Sequence, residues 1–187
     1  MCPLLNLTII SRSVGEKERD YKIEQHFHDM EIIHLISGRI EDTARHKINR
    51  IVESIGASQK KLGNKVAIWC IDYRNKPKFF RNRTKFREFS NSTKMLKVSE
   101  SLREALDEKK STAIFHLHGG FIFEYFLIAR LLNKIKTNYT YSPHRMFHTK
   151  EGRIKSFFNH LYFKTIEKKI VISALNIQCA ELCELNL

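Results

Sequence analysis

Two short runs constrain this chain more than anything else in it. Met30 to Ile36, MEIIHLI, and Lys65 to Ile71, KVAIWCI, are apolar at nearly every position. A strand that is apolar on both faces belongs in the middle of a parallel sheet covered by helices on each side. Between the two runs Ile48, Ile51, Val52, Ile55 and Leu62 recur at helical spacing, and Gly63 supplies a natural stop. Strand, helix and strand in that order give a right-handed crossover with parallel neighbours.

The alternation continues. Arg74 to Arg87 carries seven basic residues, none acidic, with Phe79, Phe80 and Phe86 and no clean period; it reads as a surface excursion. Ser92 to Lys109 reads as a helix with Ser92 at its N-cap and Met95, Leu96, Leu102, Ala105 and Leu106 on one face. A strand at Ala113 to Leu117, a helix at about Phe121 to Asn133 and a strand at Asn138 to Ser142 follow. A basic loop and helix run to about Ile172, and a strand at Leu175 to Cys179 leads into a helix start. The pattern predicts an α/β fold, a single doubly wound parallel sheet. Residues 30–187 form its one domain. Residues 1–29 are either an extension, even an over-long translation start, or the carrier of an extra edge strand at Leu4 to Ile10.

Ligands of such sheets bind beyond the carboxyl ends of the strands. That rule singles out Ser37 to Arg39, Asp72 to Arg74, His118 to Gly120 and Ser142 to Arg145. The most informative is Ile114 to Gly120, IFHLHGG, where a strand ends in histidine and two glycines. Glycines there allow close approach of a ligand or a helix backbone, and free N–H groups at a helix start favour an anion. The plainer reading is a tight turn with His118 hydrogen-bonded inside it. In Tyr139 to Met146, YTYSPHRM, Pro143 blocks helix continuation and holds His144 in a loop at the same sheet edge.

The net charge of +13 predicts an anionic partner: nucleic acid, a lipid surface or a phosphorylated substrate. Nucleic acid is the non-enzymatic alternative, because the Arg74 to Arg87 stretch pairs basic groups with stacking rings. No helix-turn-helix, RRM or OB signature accompanies it, and nucleic acid is not the expected partner. His26-Phe-His28 and His116-Leu-His118 have ligand-like spacing, and His116 and His118 share one strand face. No acidic residue between Ala113 and Phe123 completes a site, so no metal is expected. Cys2, Cys70, Cys179 and Cys183 show no C-x-x-C spacing and read as reduced thiols. The apolar stretch Phe121 to Leu132 is broken by Glu124 and Arg130, and no signal peptide is evident.

IFHLHGGFIFEYFLIARLLNKIKTNYTYSPHRMF, followed by YFKTIEKKIVISALNIQCAELCE, resembles the N-terminal, acceptor-side domain of family-4 glycosyltransferases of bacterial surface-polysaccharide assembly. That family typically shows a H-x-H-G strand end, a T/S-P-H-G loop and a Y-F-K-x-x-E-K helix. Tyr162 to Glu184 matches without gaps, with Glu167, Lys168, Ala174, Ile177 and Glu184 at the family's positions. MEIIHLIS and KKLGNKVAIWCID resemble its first two strands. The resemblance covers about Met30 to Leu187 and implies the N-terminal, Rossmann-like half of a GT-B fold. It further implies retaining transfer of a hexose from a nucleotide sugar to a lipid-linked or saccharide acceptor, with no cofactor. The place would be the cytoplasm, peripheral to the inner membrane face.

By that resemblance His144 is the catalytic-site histidine, and His118, Gly119, Gly120, Ser142, Arg145, Gly38 and Arg39 line the substrate cleft. Lys155, Lys164, Lys168 and Lys169 would meet anionic lipid or diphosphate. Three departures stand out. Arg145 replaces the family's glycine after S-P-H, the first-strand loop GRIEDTARH holds only Gly38, and the E-x-x-x-x-x-x-x-E element of the donor domain is not in the sequence. Transfer by this chain alone is therefore not expected, and a non-catalytic remnant or a subunit needing a donor-domain partner are the alternatives.

Overall fold

A computed structural model describes residues 30–38, 43–71, 85–90, 97–144 and 160–179, with backbone only for 43–46. The elements are β1 (Glu31–Ser37), α1 (Thr43–Lys61), β2 (Lys65–Ile71), β3 (Lys85–Phe89), α2 (Glu100–Lys109), β4 (Ala113–His118), α3 (Phe123–Lys134) and β5 (Tyr139–Ser142). A π-helical turn (Phe163–Glu167), α4 (Lys168–Ser173) and β6 (Asn176–Ile177) complete the chain. The six strands form one sheet in the order β3-β2-β1-β4-β5-β6, every pair parallel. This is a Rossmann-like α/β fold, and its order reverses between β1 and β4, where a cleft forms at the strand ends.

Strand alternation divides the core in two. Ile33 and Leu35 of β1, Trp69 of β2 and Phe115 and Leu117 of β4 join α2, α3 and Ile170 of α4 in the larger cluster. On the opposite face Ile36, Ile68 and Cys70 pack with Ile48 and Val52 of α1. That second face is apolar only toward β2. At its centre stand His34, His116 and His118, with Gly56 of α1 close above: a Cβ there would lie 3.9 Å from the His34 ring.

Several expectations need correction. The stripe on α1 is narrower than its spacing suggests, since Ile51 and Leu62 are 46% and 80% exposed. The helix covers only a strip of sheet, which Ile48, Val52 and Gly56 reach. Lys85 to Arg87 are not part of an excursion but open the edge strand β3, where Arg87 lies over the rings of Phe89 and Trp69. Residues 74–84 lie outside the described residues. Helix α2 starts at Glu100 with Ser99 at its N-cap, not at Ser92, because residues 97–99 already run non-helically. Ser92, Met95 and Leu96 lie outside the described residues. Helix α3 starts at Phe123 rather than Phe121, whose φ of 57° is left-handed. The last strand is only Asn176–Ile177, leaving Leu175 58% exposed. Gly63 does end the α1 turn, at φ 90°. Residues 1–29, with the alternatives of extension or edge strand, lie outside the described residues. No described helix is long and apolar enough to cross a membrane.

Candidate functional site: a histidine chain at the strand ends

Parallel pairing puts His34 of β1 directly opposite His116 of β4, and His118 lies two residues further along the same face. The three rings cluster, with centroids 5.4 Å apart for His34 and His116, 5.0 Å for His34 and His118, and 3.8 Å for His116 and His118. His34, His116 and His118 are all buried. His144 follows Pro143 in a left-handed conformation, φ 53°, and is half-buried at the edge of the group.

Hydrogen bonds link these rings in series. His34 Nε2 lies 2.7 Å from Gln59 Oε1 of α1, His34 Nδ1 lies 2.8 Å from His118 Nε2, and His118 Nδ1 lies 2.9 Å from His144 Nε2. The Gln59 oxygen only accepts, which sets the direction of the whole chain. His34 donates from Nε2 and accepts at Nδ1; His118 donates from Nε2 and accepts at Nδ1 from His144. Beside it, Ser142 Oγ lies 2.7 Å from His116 Nε2 and 3.4 Å from Gln178 Oε1. Ser142 donates to Gln178 and accepts from His116, so His116 keeps a lone pair on Nδ1. Burial, first of all, holds His34 below its ordinary value, with the Gln59 bond opposing. Burial and then the neighbouring imidazoles hold His116 and His118 well below theirs. The three are neutral at physiological pH.

A second buried group braces the turn after β4. Glu167, in the π-helical turn, is fully buried and bonds through Oε1 to the Tyr141 hydroxyl, while the Phe121 N–H donates to Oε2 at 3.3 Å. Tyr141 also lies 3.2 Å from the Gly119 carbonyl. Desolvation raises Glu167 to about 7 against these two bonds. Tyr125 of α3 donates to the carbonyls of Leu35 and His118, at 2.9 and 2.8 Å, across the reversal of strand order.

The sequence-predicted residues divide cleanly. His118, Gly119, Gly120, Ser142 and His144 come together, and Gly119 N–H donates to Ser142 O at 2.7 Å. A shallow pocket beside them is lined by Ser37, Ile48, Asn49, His118, Gly119, Gly120 and Ile122. Gly38 closes the end of β1, its N–H donating to Ile71 O. Lys164, Lys168 and Lys169 are exposed, and Lys169 lies over Phe126 of α3, 5.7 Å from its ring. Arg39, Arg145, Lys155 and Asp72 to Arg74 lie outside the described residues. Sequence reasoning missed His34 and Gln59. The signal for His34 was present, as the one polar residue within the aliphatic stretch IIHLI.

Gly119 has φ 101°, and a Cβ there would lie 3.3 Å from Ile122 Cδ1 and 3.5 Å from Ile48 Cδ1. Gly119→Ala is therefore expected to lower the unfolding free energy by roughly 1–2 kcal/mol. Urea denaturation checks this, and an unchanged midpoint would contradict it.

No family model matches this chain, and no curated protein does. Among solved structures it is similar to S. aureus homoserine dehydrogenase. One structure of that enzyme, at pH 6.0, gives a TM-score of 0.39 and 14% identity over 80% of this chain and 33% of the enzyme. Another, at pH 7.0, gives 0.39 and 13% over 80% and 32%. The chain spans about a third of the length of these structures. The assignment of fold rests on the strand order itself.

Proposed function

We propose that this chain is the acceptor-side domain of a GT-B glycosyltransferase, moving a sugar from a nucleotide sugar to a lipid-linked or saccharide acceptor. The observation that carries the reading is the convergence of three separated motif segments. His118 of IFHLHGG bonds His144 of the Ser-Pro-His loop, and Glu167 of YFKTIEKK bonds the backbone of Phe121 just past the glycines. The segments that resemble the glycosyltransferase family thus build one cleft wall.

In this reading His144, at the cleft edge, and the His118-Gly119-Gly120 turn stand near the transferred sugar and the donor phosphates, with Ser142 and Gly38 around them, and Arg39 and Arg145 would contribute positive charge to the same substrate. Lys155, Lys164, Lys168 and Lys169 meet anionic lipid or diphosphate at the inner membrane face. Rate acceleration would come from positioning and from stabilising the departing diphosphate, with no protein nucleophile required. The nucleotide sugar itself would be held by a second lobe or a partner chain. A dinucleotide cofactor is disfavoured because the loop after β1 lacks the glycine pattern that brings backbone against a pyrophosphate.

The test is equilibrium binding of the full chain to a short-chain prenyl-diphosphate saccharide, with NAD and a random oligonucleotide run in parallel. Binding of the saccharide, weakened about tenfold or more by His144→Asn in a folded variant, is expected. Tighter binding of NAD or of the oligonucleotide would reject the reading in favour of a dinucleotide or nucleic-acid domain.

A further inference from the structure

We propose that His34, His116 and His118 form a buried binding site for a transition-metal ion of the zinc class. The inference is independent of the glycosyltransferase reading.

Position comes first. The register that sets His34 opposite His116, and the two-residue period that returns His118 to the same face, direct three imidazoles to one point on the α1 side of the sheet. One ring nitrogen from each lies within 4.8 Å of the other two. A tetrahedral ion with bonds of about 2.0–2.1 Å holds its ligand nitrogens about 3.3 Å apart, so small ring rotations bring the group to coordination distance. The third ligand, lacking near the His116-Leu-His118 pair in sequence, comes from a neighbouring strand.

The outer contacts give the second argument. A metal-bound histidine is ordinarily oriented by a hydrogen bond to its other nitrogen. Here Gln59 holds His34 Nε2, Ser142 holds His116 Nε2 and His144 holds His118 Nδ1. These bonds leave His34 Nδ1, His116 Nδ1 and His118 Nε2 as the inward nitrogens. The first two already present lone pairs, and burial keeps all three rings neutral. Three imidazoles with no carboxylate suit zinc, copper or nickel rather than magnesium or calcium. They also leave a coordination position open.

The proton balance closes without loss. His118 Nε2 now donates to His34 Nδ1; on coordination that proton leaves Nε2 while Nδ1 acquires one and donates to His144 Nε2. His144 in turn gives up its Nε2 proton and takes one on Nδ1. The ion enters, no net proton is released, and the His144 tautomer inverts. Occupancy of the buried site is thereby reported at the cleft edge.

The experiment is titration of the untagged, metal-stripped full chain with Co2+, followed by displacement with Zn2+. One equivalent of Co2+, with visible absorption of a low-coordinate site that Zn2+ removes, is expected. Gln59→Leu weakens binding about tenfold or more, His118→Gln weakens it further, and His160→Gln leaves it unchanged. Nitrogen-15 spectra of the wild-type protein provide a readout that does not depend on a variant folding. Zn2+ should shift His34 Nδ1, His116 Nδ1 and His118 Nε2 and move the His144 proton from Nε2 to Nδ1. Absence of saturable one-to-one binding, binding that survives His118→Gln, or shifts confined to other histidines would each overturn the proposal.

Discussion

Between about pH 5 and about pH 8 the unfolding free energy is expected to fall by roughly 3 kcal/mol on account of Glu167 alone. Its carboxyl keeps its proton up to about 7 in the folded chain, whereas an ordinary glutamate releases it near 4.5. Between those values the folded state binds more protons than the unfolded one, so stability declines as pH rises and the full loss is reached above 7. The cause is desolvation, opposed by the bonds from Tyr141 and Phe121. A neutral carboxyl can donate to the Tyr141 oxygen, Tyr141 then donating to the Gly119 carbonyl. Glu167→Gln preserves that neutral pattern, with the amide donating to Tyr141 and its oxygen accepting from Phe121. The variant should therefore be the more stable protein at about pH 8 and show a flatter profile. Urea denaturation of both proteins across this range is the check, and parallel profiles would disprove it.

His34→Leu, measured in chelator, is expected to destabilise the chain by roughly 2–4 kcal/mol. Leucine nearly fills the space but leaves the buried His118 Nε2–H without its acceptor and the half-buried Gln59 Oε1 without its donor. Orphaned buried polar groups cost more than the bonds they lose were contributing. Adding Gln59→Leu should restore about 1 kcal/mol, since it removes one orphan. A single variant as stable as the wild type would show that the chain of rings contributes nothing to folding.

How much of this was legible in the sequence depended on how each residue reports its surroundings. β1, β2 and β4 announced themselves because strands covered on both faces are apolar at most of their positions. β3 did not, because of KFREF only Phe89 is buried and an edge strand exposes its remaining positions. The Leu175 to Cys179 run misled for the opposite reason: despite its apolar residues it pairs at only two positions, Asn176 and Ile177, at the edge beside β5. His118 and His144 were found because glycine and proline punctuate the chain beside them. His34 and Gln59 were not: a lone polar residue in an aliphatic strand marks His34 without saying what it meets, and a glutamine on a helix is not distinguished from one that merely occupies space. Only the pairing of β1 with β4, contacts 82 or more residues apart, gives them meaning. Glu167 stood out through the family resemblance, but its burial depends on Tyr141 and the turn after β4.

The Tyr125 hydroxyl, shared between the carbonyls of Leu35 and His118, has a mechanical consequence. One atom of α3 rivets together the two strands whose divergence creates the cleft. The floor of the cleft is thus of fixed width, and a ligand must match that gap rather than widen it.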